Sequence, residues 1–429
     1  MKINLGIVGI GNIGSSVIEA IEKNKRLYKK KYDLEINIIG ISGKNKKKKR
    51  SFKLSRYIWF SNPLEMTNNK EINIIVELVG GVSGLPLELA RKSLKQGKNF
   101  VTANKAMMAV HGKHLCHLAT QNGVNINYEA SVAGGIPLIR TIQNSLLAGN
   151  IKNIYGILNG TCNYILTQMR EKKITFKAAL NEAQNNGFAE SNPFDDISGQ
   201  DTAYKLNILS SLAYAREFKV KDIHIEGISN IDEIDLKMAD NLGYILLLLG
   251  ISNLKSDIIL QRVHPCLISK ESILSKVTNE INTVILEDDM AGKIMVVGKG
   301  AGKLPTTSSV ITDILNLKET KKRFLNYYEK KILPKPLRIG EISERKGKFY
   351  IRILVKDKPG VLADITGFFK KQKVSISSMF QLESKNKKTV PLIFITHFIK
   401  EKEINLAVKK IEKIDKVIKK ATIIRIENI

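Results

Sequence analysis

Residues 2–26 read KINLGIVGIGNIGSSVIEAIEKNKR. An apolar run of strand length, KINLGIVG (2–9), meets a glycine-rich turn. The segment after it carries Ile13, Val17 and Ile21 at helical spacing, with Leu27 less tidily placed. The turn is G-x-G-x-x-G, with Gly9, Gly11 and Gly14 as its glycines. Strand, turn and helix in this order is the context that a dinucleotide-binding reading requires. Gly9 permits the tight turn, Gly11 lets a pyrophosphate approach the backbone, and Gly14 allows close helix–strand packing. Asn12 and Ile13 then open a helix whose N–H groups point toward phosphate. The plainer alternative is a packing turn without a ligand.

Outward from this unit the pattern alternates. Strands are expected at 34–41, 72–79, 99–102 and 124–128, and helices at 12–30, 85–96 and 107–121. That alternation predicts an α/β fold with a Rossmann-type, doubly wound parallel sheet over residues 1–130. Residues 131–315 mix helices (138–148, 175–186, 199–215, 232–249) with strand-like runs at 152–158 and 295–297, an α+β pattern. Residues 316–346 are charged, contain Pro334 and Pro336, and read as a linker. From Phe349 the pattern restarts: strand 349–355, helix 361–372, strands 374–383 and 390–399, helix 402–414, strand 421–427. This βαββαβ order predicts a ferredoxin-like domain over 347–429.

Length and composition agree. At about 150 residues per domain, 429 residues suggest roughly three domains. The 43% apolar content supports a sizeable core. The net charge of +28 comes from lysine spread over the whole chain, which lacks the single basic stripe of a nucleic-acid binder, so no nucleic acid is expected as partner. Cys116, Cys162 and Cys266 are odd in number, far apart and without C-x-x-C, which argues against disulfides and thiolate zinc and fits a reducing cytosol. The N-terminal apolar run is broken by GIGNIG and Glu19, unlike a signal peptide. The run around Ile245–Leu249 is far short of the ~18 residues of a membrane span. A cytoplasmic protein without membrane association is expected. On one helix His111 and His117 point roughly 240° apart, so the His111, His114, His117 set cannot converge on a metal, and His264 reads as structural.

Three stretches carry candidate chemistry. After the second strand comes Ser42-Gly43-Lys44-Asn45, then Lys46 to Lys49 and Arg50. No carboxylate is present to hold a ribose 2′-OH, and a cationic run suits a 2′-phosphate. NADP is therefore favoured over NAD; the alternative is a solvated charge run, of which only Lys44 need touch the cofactor. Thr102 and Lys105 lie at the carboxyl end of strand 99–102, where ligands of such sheets bind. The densest signal is AQNNGFAESNPFDDISGQDTAYK (183–205). Asp201 and Lys205 are four apart and share a helix face. A lysine held against carboxylates can give a proton to a developing alkoxide, and the neighbouring carboxylates can hold an ammonium group. The alternative is a solvated ion pair.

This segment is similar to the signature of homoserine dehydrogenases at Ala183, Gly187, Phe188, Ala189, Asn192, Pro193, Asp196, Ile197, Gly199, Asp201 and Lys205. GIGNIG (9–14), VELVGG (76–81), VTANKA (101–106), EASVAGGIP (129–137), NGTCNYIL (159–166) and GKGAG (298–302) resemble that family in its order, over about 1–315. The resemblance implies reduction of L-aspartate 4-semialdehyde to L-homoserine with NAD(P)H, on the route to threonine and methionine. It implies Lys205 as proton donor, Asp201 as its acidic partner, Glu190 and Asp196 as binders of the substrate's amino-acid group, and Lys105 between nicotinamide and substrate. Implied cofactor contacts are Gly9, Gly11, Asn12, Ile13, Gly14, Lys44, Thr102 and Lys105. A late segment (about 300–320) carrying Gly300 and Gly302 is implied to return to the cofactor. EASVAGGIP implies a structural monovalent-cation site, such as Na+, with Glu129 and the carbonyls of Val132, Gly134 and Ile136 as ligands; a turn with a capping glutamate is the alternative. Lys44 stands where many relatives carry arginine, and lysine cannot make arginine's bidentate fork.

Residues 347–429 resemble an ACT domain, with Asp357-Lys358-Pro359-Gly360-Val361-Leu362 as its ligand loop. This implies pairing of subunits, as a homodimer or homotetramer, and an amino-acid effector, with the end product threonine as candidate. A dimerisation module without ligand is the alternative. Rival functions are a related NAD(P)-dependent amino-acid dehydrogenase and a non-catalytic amino-acid sensor; the intact Lys105, Glu190, Asp196, Asp201 and Lys205 argue against the sensor. No kinase-length region precedes residue 1, so a fusion with an aspartokinase is not expected.

Overall fold

The apolar run at the N-terminus forms strand β1 (Lys2–Val8), and the segment after the glycine turn forms helix α1 (Asn12–Tyr32). Then follow β2 (Glu35–Ser42), β3 (Ile58–Trp59), β4 (Ile74–Glu77), α2 (Leu85–Lys95), β5 (Asn99–Thr102), α3 (Lys105–Gln121) and β6 (Ile126–Asn127). The strands are all parallel, in the order β3-β2-β1-β4-β5-β6. That is the doubly wound order, with its switch point between β1 and β4. In this computed structural model residues 2–317, 337–382 and 388–429 are described. Most of the linker expected at 316–346, and the end of the strand expected at 374–383, lie outside the described residues.

The chain divides into two compact units, Met1–Leu158 with Asp201–Ile223 and Ile281–Pro336, and Asn159–Gln200 with His224–Glu280 and Leu337–Ile429. In the first unit, Ile3, Leu5 and Ile7 of β1 meet Val17, Ile18 and Ile21 of α1 in a buried core. The helix Lys303–Asn316 sends Val310, Ile311 and Ile314 into the same core. Strands Ile151–Ile157, Ile281–Asp288 and Gly292–Lys299 form an antiparallel ladder. The helix Gln200–Ala213 is buried almost all round, so its two charged residues, Asp201 and Lys205, are unusual there.

The second unit holds a sheet in the order Tyr244–Lys255, Ile258–Ser269, Thr422–Glu427, Lys346–Lys356, Thr389–Thr396, Ile376–Gln381. Its last four strands, with helices Val361–Lys371 and Glu401–Ile411, form the βαββαβ module. Phe349, Ile351, Ile353 and Val355 face those helices, so Tyr350 and Arg352 face the other way. There both reach Asp235 of helix Glu233–Asn241. Thr422–Glu427 also pairs in parallel with Ile258–Ser269.

One sequence expectation is corrected. The helix expected at 232–249 ends at Asn241, Gly243 adopts φ +78°, and Tyr244–Lys255 is a strand. Residues 245–252 are buried consecutively. An apolar run covered on both faces has no period to separate strand from helix. Its hairpin partner, Ile258–Ser269, was not read from the sequence at all. The helix expected at 138–148 is a single turn, Leu138–Arg140, followed by a π turn over Thr141–Ser145. No helix among the described residues is long and apolar enough to cross a membrane.

Candidate active site

The first part of the site is the crevice at the β1/β4 switch point. Gly9 sits at φ +97°, donates its N–H to Ser42 O (3.0 Å), and leaves no room for a Cβ, which would lie 2.6 Å from Leu78 O. A Cβ on Gly14 would collide with the carbonyl of Gly9. A Cβ on Gly11, by contrast, would meet nothing within 4 Å. The turn is thus closed where backbone packs and open where a pyrophosphate must approach. The first turn of α1, begun by Asn12 and Ile13, carries no acidic residue and its N-terminus no side-chain cap, so its N–H groups remain available to an anion. A cavity of ≈ 470 Å³ opens here, with Gly9, Gly11, Lys44, Lys48 and Arg50 in its wall. These residues fit a dinucleotide.

Arg50 is a residue that the sequence reading did not single out. The loop after β2 folds back so that Arg50 lines the same cavity as Lys44. Its guanidinium donates to Asn45 O (2.8 Å) and Lys48 O (2.7 Å) and lies 5.9 Å from the Trp59 ring centre. The signal was the cationic run itself, but sequence spacing does not say which of its members turns inward.

Glu77, at the end of β4, shapes the floor. It is fully buried and accepts hydrogen bonds from Val79 N (2.7 Å), Gly80 N (3.0 Å) and the Thr102 hydroxyl (2.6 Å). Thr102 in turn accepts from Asn104 N, and the Asn104 side chain caps α3 at Met107 N and donates to Gly81 O. The hydroxyl of Thr102 is therefore spent on fixing loops. This network sets the first residue of α3, Lys105.

Lys105, Asp201 and Lys205 meet. Asp201 lies in the first turn of the helix Gln200–Ala213 and Lys205 one turn on. Lys205 Nζ donates to Asp201 Oδ2 (2.8 Å) and to Leu158 O (2.6 Å), and Lys105 Nζ pairs with Asp201 Oδ1. Asp201 is 2% and Lys205 8% exposed, so this is a buried ion pair. Burial pushes the Asp201 carboxyl up, but Lys205 and Lys105 outweigh it and hold it well below the usual carboxylate range. An ammonium has three donors, and two of those on Lys205 are engaged.

The predicted substrate carboxylates belong to the second unit. Asp196 lies in the short helix Phe194–Ile197, and its Oδ1 accepts from Asn159 Nδ2 (2.7 Å). Asn159 also caps the helix Gly160–Lys172 by accepting from Cys162 N (2.8 Å). NGTCNYIL thereby orients Asp196. Glu190 is exposed, and its backbone carbonyl accepts from Gln184 Nε2 (3.0 Å).

The EASVAGGIP and GKGAG motifs touch. Gly135 N donates to Lys299 O (3.1 Å), and a Cβ on Gly134 would lie 2.7 Å from Gly300 O. Gly302, at φ +116°, begins the helix Lys303–Asn316. Glu129 accepts from Ile139 N (2.8 Å) and Arg140 N (3.0 Å), and Arg140 also bonds Asp313 (2.7 Å). Burial, then the Asp313 charge, pushes the Glu129 carboxyl up to about 7, and burial pushes Asp313 up to about 6. The Ile136 carbonyl accepts from Leu138 N (2.9 Å). This set of positively polarised donors around Glu129 does not fit a side chain waiting for a cation.

His264, Cys266 and Glu427 lie close enough to share a metal. Their surroundings oppose one. Arg262 and Arg345 donate to Glu427, and burial drives His264 well below and the Cys266 thiol well above their usual ranges. A metal would need the thiolate.

The chain is similar to known proteins over its whole length. Residues 9–129 match the family model "Homoserine dehydrogenase, NAD binding domain", 137–315 the model "Homoserine dehydrogenase", and 349–416 the ACT domain. The homoserine dehydrogenase of Helicobacter pylori is 38% identical, covering 100% of this chain and 99% of its own. A solved homoserine dehydrogenase from Thiobacillus denitrificans superposes with a TM-score of 0.90 at 33% identity, covering 100% of this chain and 99% of its own. A hyperthermophilic archaeal homoserine dehydrogenase solved in complex with NADPH gives a TM-score of 0.65 at 25% identity, covering 76% of this chain and 100% of its own. The dinucleotide crevice, the buried Lys205–Asp201–Lys105 cluster and these full-length likenesses lead to one conclusion: the chain belongs to the homoserine dehydrogenase family, nicotinamide-dependent oxidoreductases acting on a CH–OH group, and it carries a C-terminal ACT domain.

Proposed function

We propose that this chain reduces L-aspartate 4-semialdehyde to L-homoserine with Lys205 as proton donor. The observation that carries the reading is the buried Lys205 ammonium with two of its three donors engaged and one left. Asp201 and Leu158 O hold Nζ in place, and the remaining N–H serves the substrate's carbonyl oxygen. A nicotinamide cofactor held by the glycine turn would supply the hydride. The proton from Lys205 Nζ completes the CH–OH group, and water reprotonates the lysine. Lys105, half exposed, shares Asp201 and would lie between nicotinamide and substrate. Glu190 and Asp196 hold the substrate ammonium, Asp196 being pre-oriented by Asn159.

In this reading residues 1–130, with a return of about 300–320, bind the cofactor, 131–315 the substrate, and 347–429 an effector. NADP(H) is preferred because Lys44, Lys48 and Arg50 line the crevice and no carboxylate follows β2. Gly300 and Gly302 support the cofactor side. Threonine acts through the ACT ligand loop, where Gly360 begins its helix at φ +85°. The working form is a cytoplasmic homodimer or homotetramer. The test is direct: supply aspartate semialdehyde with NADPH or NADH and identify the product. Homoserine formed in step with NADPH loss, and more slowly with NADH, is expected. A folded chain that binds NADPH but makes no homoserine would overturn the reading.

A further inference from the structure

A second large cavity, of ≈ 650 Å³, lies within the second unit, and none of the candidate catalytic, cofactor or substrate residues lines it. It is bounded by the loop 226–232 and by residues 419–423, which lead into the last strand of the ACT module. Arg352 is in its wall. Arg352 belongs to the face of the ACT sheet turned away from the helix Val361–Lys371, whose N-terminus carries the ligand loop Asp357–Gly360. The cavity is therefore not the ligand-loop site.

The wall chemistry is specific. Arg352 is only 4% exposed. Its Nε and Nη2 bond Asp235 (2.7 and 2.9 Å), and Nη2 also bonds Thr422 Oγ1 (3.0 Å). Nη1 takes no hydrogen-bond partner among the described residues. Lys419 and Lys420 add two exposed ammonium groups without an ion pair among the described residues. Opposite in sign are Glu226, Asp232 and Glu412. Glu226 is committed to Arg425 (2.6 and 2.8 Å). Glu412 uses Oε1 to accept from Ala421 N (2.8 Å), which leaves Oε2. Asp232 caps the helix Glu233–Asn241 at Ile234 N (3.3 Å) and keeps spare lone pairs.

A wall with a buried guanidinium edge, two lysines and matching carboxylates is neutral as a whole. It would repel a polyanion from Glu226, Asp232 and Glu412 and a polycation from the three basic groups. It suits a small ligand carrying one charge of each sign. We propose that this cavity binds a free α-amino acid, its carboxylate on Arg352 Nη1 with Lys419 or Lys420, and its ammonium on Glu412 and Asp232. This is a second amino-acid site, lined by neither the ligand loop nor the catalytic residues.

The experiment is titration calorimetry of the full chain with glycine, L-serine, L-threonine, L-aspartate, L-lysine and L-methionine, and with inorganic phosphate as the simple anion. Three variants accompany the wild type. Ser229→Tyr fills the cavity from an exposed position in its wall. Glu412→Gln keeps an acceptor for Ala421 N but removes the charge. Asp357→Asn alters the ligand loop. At least one amino acid is expected to bind at a site that Ser229→Tyr and Glu412→Gln each weaken about tenfold or more, the loss of one charged hydrogen bond. Asp357→Asn leaves that binding unchanged. If Ser229→Tyr fails to fold, Glu412→Gln carries the comparison. No saturable binding by any amino acid would overturn the proposal. So would binding abolished by Asp357→Asn alone, or phosphate occupying the cavity in place of amino acids.

Discussion

Replacing Asp201 by asparagine tests the buried cluster in two ways. Asp201 is the carboxylate shared by Lys205 and Lys105. In Asp201→Asn the Lys205 ammonium keeps Leu158 O and a neutral amide, but loses its counter-charge while remaining buried. Breaking such a pair costs about 3–5 kcal/mol. Lys105 is 41% exposed at its side chain and adds little, because water screens it. The sign of the pH dependence follows from the carboxyl. Its folded-state pKa is depressed, so its stabilisation is complete above the unfolded value of ~3.9 and fades as pH falls through the folded one. Urea unfolding of wild type and variant should therefore differ by about 3–5 kcal/mol at pH 7 and converge in strong acid. Turnover should fall about a hundredfold or more, since ~2.7 kcal/mol of lost positioning suffices for that. A variant within ~1 kcal/mol of wild type at pH 7, or a gap independent of pH, would refute the reasoning.

Other predictions follow from single contacts. Arg50→Ala should weaken NADPH binding about tenfold to a hundredfold, the value of a hydrogen bond to a charged group, and leave NADH binding unchanged; equilibrium fluorescence titration checks both. Glu129 and Asp313 have raised folded pKa values, so the folded chain binds the extra protons, and their contribution to stability should decline as pH rises from about 4.5 to about 7. The decline should be at most about 6 kcal/mol for the two groups together and shallower in Asp313→Ala, read from denaturation midpoints across that range. Arg425 is 3% exposed and bonded to Glu226 and Glu401. Glu401→Ala should destabilise the second unit by about 3–5 kcal/mol in urea, with little change in NADPH affinity.

Much of the nucleotide-binding unit was legible because its signals are local. Gly9 and Gly14 each answer to a backbone requirement, and the strand expected at 99–102 and the helix expected at 85–96 are found at Asn99–Thr102 and Leu85–Lys95, bounded by turn residues. The i,i+4 spacing of Asp201 and Lys205 could be read directly, although their burial could not. Other features depend on contacts remote in sequence. Glu77 gains meaning only when Thr102 arrives on the neighbouring strand, 25 residues later. Arg425 meets Glu226 across 199 residues, through the parallel pairing of Thr422–Glu427 with Ile258–Ser269. The strand Tyr244–Lys255 was misread because leucine-rich runs favour helix locally, while burial on both faces decides for the sheet.

The central claim is that Lys205 delivers the proton, and Lys205→Met tests it most directly. Asp201 retains Lys105 in this variant, so the cluster is not left without a cation. Steady-state kinetics with NADPH and aspartate semialdehyde, alongside NADPH titration, should show kcat reduced 10²–10⁴-fold, the span of general acid catalysis, with NADPH affinity unchanged. A folded Lys205→Met chain that keeps kcat within about tenfold of wild type would contradict the account.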